Sequence, residues 1–428
     1  MAFQSLCVLG LGYIGLPTAS TFANNGLRVH GVDVNERIVA TLRSGESHIQ
    51  EPGLRTLVQA AFRSGNLTVD RQPTEADAFI IAVPTPLLPN QRADLSYVVA
   101  AAESIVPYLR PGNLVILEST CPPRTTVDRV APILAQSGHT PGSDLHLAYS
   151  PERVLPGNIL RELIENARVI GGIDRASAEA GRDLYGLFVR GEILLTDATT
   201  AEMVKLMENT YRDVNIALAN EFAGLAEAFG VDVWQAIEMA NRHPRVRILR
   251  PGPGVGGHCI GIDPWFLVEA APDKTPLIKQ ARLVNDGRPE AVLDLMRRNL
   301  GGDLNGRKLA ALGLAYKADV DDLRESPAIA IVQELVRAGA EVTTYEPLAP
   351  AGQVVGARPA KEIDQALQGA EALVLLVDHK PFLALEPERV AALMSGRRVF
   401  DLRGALDQAA WRRAGFDLTV LGVGQHDD

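Results

Sequence analysis

Short apolar runs separated by helix-compatible stretches fill the first part of the chain: SLCVL (5–9), LRVHGVD (27–33), AFIIAVP (78–84), NLVILES (113–119), LHLAYS (145–150) and RVIGG (168–172). That alternation predicts a parallel sheet with helices on both faces. The rhythm changes near residue 199, where TTAEMVKLMENTYRDVNIALANEFAGLAEAFG holds no proline, opens on threonines suited to an N-cap and stops at Gly230. One helix of about 30 residues follows, roughly 45 Å long at 1.5 Å per residue, a length typical of helices that bridge domains or subunits. VDVWQAIEMANRH predicts a second helix, and residues 276–299 a further helical region. From Arg307 strands and helices alternate again through KLAALGLAY, a helix from Pro327 to Ala338, EVTTYEP, ALVLLVD and RRVFDLRG. The fold class predicted is α/β, with two Rossmann-like doubly wound domains (residues 1–198 and 301–428) joined by a central helical domain (199–300) containing the long helix.

Composition narrows the function classes. A chain of 428 residues with 46% apolar content is long enough for two or three domains with an ample core. Its formal net charge of -10 argues against a nucleic-acid surface, which needs an excess of Lys and Arg. A small anionic ligand still fits, provided basic residues gather locally. Cys7, Cys121 and Cys259 lie far apart without CxxC spacing, so three reduced thiols are expected, with no disulfide framework and no metal site. No apolar run approaches the roughly 18 residues of a membrane span, and the first strand starts by Ser5, which leaves no room for a signal peptide. The expectation is a soluble cytoplasmic protein.

GLGYIGLP follows a strand and opens a helix, with Gly10, Gly12 and Gly15 in GxGxxG spacing. Gly10 permits the tight turn, Gly12 lets backbone approach a pyrophosphate, and Gly15 lets helix pack on strand, with the anion at the helix N-terminus. The glycines alone fit a ligand-free turn equally well. Asp33 shifts the balance: it ends the second strand about 20 residues on, where a carboxylate accepts hydrogen bonds from an adenosine ribose and repels the 2′-phosphate of NADP. NAD is the cofactor expected, the alternative for Asp33 being a strand-end turn residue.

Two further patterns are open on spacing alone. Lys205, Asn209 and Arg212 share one face of the long helix, as a solvated stripe would. Cys259 lies in GPGVGGHCIGIDPW, beside His258 and four residues before Asp263. Cysteine is most often a small core hydrophobe, yet a loop of five glycines is a poor place for core filling and a good one for close approach of a ligand. An accessible thiol, once deprotonated, is a nucleophile. Paired with a dinucleotide it suggests oxidation of an aldehyde, or of an alcohol in two rounds, through a thioester to a carboxylate.

GLGYIGLP, IAVPTP (81–86), EST (118–120), SPERVLPG (150–157), AEMVKLMENTYRDVNIALANE, NRHPRV (241–246), GPGVGGHC and GLAYKADVDDLRESPA together resemble the UDP-glucose/GDP-mannose dehydrogenase family, in the family's order and over most of the chain. The GGHC, NRHPRV and DPWF segments are most similar to the branch acting on UDP-N-acetyl-D-mannosamine. The resemblance implies an NAD-dependent, four-electron oxidation of a sugar 6-hydroxyl to a carboxylate. It implies that Cys259 is the nucleophile, that Lys205 and Asn209 flank the reacting oxygen, and that Asp263, Thr120 and Glu152 orient water or act as base. Substrate contacts would come from Arg153, Val154, Lys205, Asn209, Arg212, His243, Arg245, Gly256, Tyr316 and Lys317. Tyr13, Ile14, Thr85, Thr120, Thr126 and Arg324 would join Gly10, Gly12, Gly15 and Asp33 around NAD. A few guanidinium and ammonium groups suffice to hold a nucleotide-diphosphate sugar on an acidic protein.

The resemblance further implies a homodimer, or a dimer-based oligomer, whose neighbouring subunit lends Arg245 or His243. Two positions depart from the family's habit: Arg124 stands where a glycine is common after EST, and Tyr316 where phenylalanine is common. UDP-glucose, UDP-N-acetylglucosamine and a dTDP-sugar are the rival substrates, and a non-redox epimerase with tightly bound NAD is the rival of a different class. An epimerase would leave Cys259 structural.

Overall fold

The computed structural model describes residues 3–257, 259–349 and 354–424; His258 lies outside them. Two compact units form, Met1–Glu208 with Trp265–Lys274, and Asn209–Pro264 with Thr275–Asp428. The first contains β1 (Ser5–Leu9), β2 (Arg28–Val32), β3 (Leu67–Asp70), β4 (Ala78–Ile81), β5 (Leu114–Leu117), β6 (His146–Tyr149), β7 (Arg168–Gly172) and β8 (Ile193–Asp197) in one sheet of order β3-β2-β1-β4-β5-β6-β7-β8. β4 and β5 are buried at every position, because helices cover both faces of the sheet. The strand order reverses between β1 and β4, which makes the C-terminal end of β1 the crevice where α/β sheets bind ligands.

One strand departs from the expected parallel arrangement. β7 pairs antiparallel with β6, through Ala148↔Gly172 and Tyr149↔Gly171, while β8 pairs parallel with β7. The connection from β6 contains only the seven-residue helix Ile159–Glu165. At 1.5 Å per residue this spans about 10 Å, too little to return the chain across the sheet, so β7 starts at the edge where β6 ended and runs back.

The second unit contains β9 (Lys308–Leu312), β10 (Glu341–Tyr345), β11 (Arg358–Pro359), β12 (Ala372–Leu375), β13 (Arg398–Asp401) and β14 (Asp417–Val420), all parallel, in the order β11-β10-β9-β12-β13-β14. The doubly wound pattern expected for the C-terminal part is present. The long helix runs Ala198–Phe229, 32 residues and about 48 Å, and Gly230 follows it with φ of 68°, the left-handed turn that ends many helices. Ala198, Ala201 and Val204 pack into the core of the first unit, and Ala223 and Ala226 into a cluster with Val233 and Ile237 in the second.

The helical region expected over 276–299 is two helices, Pro276–Asp286 and Arg288–Leu300. Pro289 has no N–H to continue the first ladder, so a new helix begins beside it.

Candidate active site

The glycine turn after β1 is built as its sequence requires. Gly10 has φ of 89° and donates its N–H to the Val32 carbonyl at 2.8 Å, and a Cβ there would stand 2.4 Å from the Ala82 oxygen. A Cβ on Gly15 would collide with the Gly10 carbonyl at 1.8 Å, whereas one on Gly12 would meet nothing within 4 Å. Gly12 therefore exposes bare backbone to an approaching phosphate, at the start of the helix Gly15–Asn24. Half-buried Tyr13 and Ile14 complete the turn. Asp33 accepts the Leu11 N–H at 3.0 Å and the Asn35 N–H at 2.9 Å. Both bonds fix the carboxylate at the end of β2, where a ribose would meet it. These residues fit NAD.

The second unit repeats this local device with a different outcome. Gly313 has φ of 90° and donates to the Tyr345 carbonyl at 2.9 Å, and Glu346 accepts the Leu314 N–H at 2.7 Å. His379 occupies that carboxylate: its Nδ1 accepts the Asp319 N–H at 2.9 Å, leaving Nε2 to donate to Glu346 at 3.2 Å. Burial opposes the Glu346 charge, but the bonds from His379 and from the Leu314 and Leu348 amides outweigh it and hold the carboxyl below its usual range. Glu346 is thus spent within the protein, in contrast to half-exposed Asp33.

The EST segment leads into a loop pinned by Glu202, which stands on the long helix and was not marked by its sequence context. The Glu202 carboxylate accepts the Arg124 N–H, the Thr126 N–H at 2.8 Å and the Thr126 hydroxyl at 2.6 Å. Burial pushes the Glu202 carboxyl up, and the Thr126 bonds oppose it. Thr126 is fully buried in this contact, while the Thr85 hydroxyl donates to the Thr120 carbonyl at 2.6 Å. Arg124 has φ of 74°, which explains why glycine suits this position. Its guanidinium pairs with Asp128 at the surface, an interaction of small net value. Arg124→Gly is therefore expected to stabilise the fold by about 1 kcal/mol, read as a higher denaturant midpoint at unchanged m. A lowered midpoint would show that the ion pair outweighs the backbone strain.

The SPERVLPG segment is held at both ends by residues distant in sequence. Glu51 accepts the Gly157 and Ile159 N–H groups, each at 2.8 Å, and Arg168 on β7 donates to Glu152 at 2.6 Å. Arg168 also reaches Glu118 at 3.2 Å and the Ser150 hydroxyl at 3.0 Å, and it stacks 4.1 Å over the Tyr185 ring. Arg153 pairs with Glu208 at 2.7 Å, and Val154 packs against the core of the first unit.

Within the second unit, four of the expected residues come together. Asn209 donates its side-chain amide to Asp263 and accepts from Arg212, and the Cys259 carbonyl accepts the Asp263 N–H at 2.9 Å. Cys259 is partly buried and Asp263 almost wholly so. The glycines before the cysteine lie on the GLAYKADVDDLRES loop: a Cβ on Gly256 would stand 2.6 Å from the Glu325 carbonyl, and one on Gly257 2.9 Å from the Tyr316 ring. Arg324 pairs with Asp322 at 2.7 Å.

Gly252 anchors the other end of the loop, donating to Asn220 at 2.9 Å and accepting from Arg288 at 3.1 Å. Asn220 in turn donates to Asn285 at 2.9 Å, and Asn285 donates to Asp213 at 2.8 Å. Lys205, one turn before Asn209, is 8% exposed and bonds to no side chain among the described residues. His243, Arg245 and Lys317 are exposed. Among the described residues no cluster of three or more His, Cys, Asp or Glu is arranged to hold a metal, and no helix is long and apolar enough to cross a membrane.

Three family profiles match in succession: the NAD binding domain of the UDP-glucose/GDP-mannose dehydrogenase family at residues 4–189, its central domain at 199–287 and its UDP binding domain at 310–408. The chain belongs to this family. Its members are oxidoreductases that use NAD on nucleotide sugars, so the dehydrogenase and NAD expectations are borne out. A UDP-N-acetyl-D-mannosamine dehydrogenase of Methanococcus maripaludis is 47% identical over 98% of this chain and 97% of its own. An NDP-N-acetyl-D-galactosaminuronic acid dehydrogenase of Ralstonia nicotianae is 49% identical over 94% and 96%. Among solved structures, the UDP-D-ManNAc dehydrogenase of Pyrococcus horikoshii is 40% identical with a TM-score of 0.92, covering 99% of this chain and 100% of its own. A UDP-glucose dehydrogenase of Pyrobaculum islandicum has a TM-score of 0.88 at 31% identity, over 99% and 98%.

Proposed function

We propose that the chain oxidises the 6-hydroxyl of UDP-N-acetyl-D-mannosamine to the carboxylate of UDP-N-acetyl-D-mannosaminuronate. The relatives that carry that sugar in their names support the substrate. The observation that carries the chemistry is the Asn209–Asp263–Cys259 contact, with buried Lys205 one turn earlier on the same helix face. NAD, which Gly10, Gly12, Gly15 and Asp33 would hold, would supply the hydride acceptor for both oxidations. The side chains do the rest: the Cys259 thiolate adds to the aldehyde carbon, its thiohemiacetal is oxidised to a thioester, and water releases the acid and restores the thiol. Lys205 and Asn209 stabilise the developing oxyanion as cation and amide donor. Glu152, whose carboxylate Arg168 holds beside the SPERVLPG segment, takes a proton from the hydrolytic water.

In this reading residues 1–198 hold NAD, 199–300 form the central helical domain with the thiol loop, and 301–428 hold the nucleotide. Arg153, Val154, Arg212, Gly256, Tyr316 and Lys317 contact the sugar nucleotide, and Tyr13, Ile14, Thr85, Thr120 and Arg324 the cofactor; Thr126, expected there too, is fully buried against Glu202 and shapes the loop instead. Met203, Met207, Tyr211, Leu218 and Leu225 leave an exposed apolar stripe along the long helix, which supports a homodimer to which the neighbour brings His243 or Arg245. The free thiols suit a reducing cytoplasm.

A panel of UDP-N-acetylmannosamine, UDP-N-acetylgalactosamine, UDP-N-acetylglucosamine, UDP-glucose and a dTDP-sugar, followed by NADH release, tests the reading. The expected result is two NADH per sugar and an acid product, with the highest kcat/KM on UDP-N-acetylmannosamine. No NADH would indicate an epimerase, and a higher kcat/KM on another sugar would overturn the substrate assignment.

A further inference from the structure

We propose that Arg168 is a positioning residue for thioester hydrolysis, holding Glu152 in place while sharing its guanidinium with a second carboxylate, Glu118, whose charge decides how much of that hold falls on Glu152. This rests on the reading of Glu152 as the group that takes the proton from water. All the parts stand in the first unit. Arg168 is 5% exposed, its Nη2 donates to Glu152 at 2.6 Å, and its Nη1 donates to Glu118 at 3.2 Å and to Ser150 at 3.0 Å. The Tyr185 hydroxyl also donates to Glu118, and the Tyr185 ring lies beneath the guanidinium. A guanidinium fixed on several sides presents its fork in one orientation, which is how a carboxylate is held more rigidly than by a flexible ammonium.

The arrangement sets two carboxylates against one guanidinium among buried side chains. Two carboxylates on one guanidinium compete for its charge. Burial pushes the Glu118 carboxyl up to about 7; Arg168 opposes that shift and the Glu152 charge adds to it. The charged and titratable groups facing Glu118 are Arg168, Glu152 and Tyr185. With Glu118 protonated, the whole Arg168 charge falls on Glu152 and holds its carboxylate fast. With Glu118 ionised, that charge is divided and the Glu152 carboxylate is freer to turn to water. Thioester hydrolysis therefore rises with pH from 6 to 8 through the state of Glu118, whose side chain is wholly buried.

The test uses the full-length enzyme with NAD and whichever sugar of the panel yields two NADH. NADH release is followed together with the mass of acyl-enzyme trapped by acid quench. Arg168→Lys is expected to give a burst of two NADH per site, then a steady rate at least tenfold below wild type with the thioester accumulated. Glu118→Gln, a neutral isostere, is expected to hold hydrolysis at the acidic limit of the wild type and to flatten the profile between pH 6 and 8. Wild-type hydrolysis by Arg168→Lys, or an unchanged pH rise in Glu118→Gln, would overturn the proposal. If Arg168→Lys does not fold by circular dichroism, the Glu118→Gln profile decides alone. Glu152→Gln separates the two levels: slow hydrolysis there with normal Arg168→Lys rejects only the Arg168 role, whereas normal hydrolysis in Glu152→Gln rejects the Glu152 reading itself.

Discussion

Cys259→Ala is expected to lower acid formation by on the order of 10⁴ or more, with NAD affinity changed by less than about twofold. Without the thiol no thiohemiacetal forms, so the second oxidation lacks its covalent intermediate. The first oxidation needs no thiol, and the variant is expected to release at most one NADH per sugar with an aldehyde as product. This uneven loss is what makes the variant informative: a cysteine with a packing role only would reduce both oxidations through stability, and together. Cys259→Ser adds a second readout, since a serine that attacks would leave an ester detectable as a mass increment on the peptide that carries the loop. NADH counted per sugar, product identified by mass, and NAD binding by calorimetry complete the measurement. Normal acid formation by Cys259→Ala would remove Cys259 from the chemistry.

Much of this arrangement can be read from local sequence, and the part that cannot has a common physical character. β4 and β5 are wholly apolar runs and β1 nearly so, all bounded by turns, and GxGxxG with Asp33 is a single local device, so periodicity and spacing suffice for them. β8 escaped because Ile193–Asp197 is an edge strand with Leu194 and Leu195 exposed, and β11 because Arg358–Pro359 is only two residues. The reversal of β7 follows from how short the preceding helix is, a feature that an apolar run does not encode. The residues that hold the functional loops were missed for another reason. Glu51, Glu202, Arg168 and Asn220 are polar side chains buried against backbone or charge from distant parts of the chain: 106 and 108 positions away for Glu51, 76 and 78 for Glu202. A polar residue at such a position resembles a surface residue until its partner is known. Arg124 lies between these cases, because a missing glycine is visible in the sequence while the positive φ that explains it belongs to the fold.

Lys205→Met is expected to separate activity from stability in opposite directions. A buried ammonium costs several kcal/mol unless something compensates it, and among the described residues no carboxylate pairs with Lys205. A lysine kept under those conditions weakens the folded state. The compensation expected is the negative charge that develops on the sugar oxygen as it loses its proton and again as the tetrahedral intermediate forms. Methionine nearly preserves the stem and removes the charge, so the variant is expected to lose about 10² to 10³ in kcat, the usual effect of removing one oxyanion donor, while its melting temperature stays level or rises. Lys205→Arg keeps the charge but spreads it over a wider planar group, and is expected to recover only part of the rate. Steady-state NADH release and a thermal melt on the same preparations give both readouts. If Lys205→Met melts several degrees lower and keeps its kcat within about threefold, the ammonium is a structural partner, and the oxyanion must be stabilised by Asn209 and the backbone of the thiol loop.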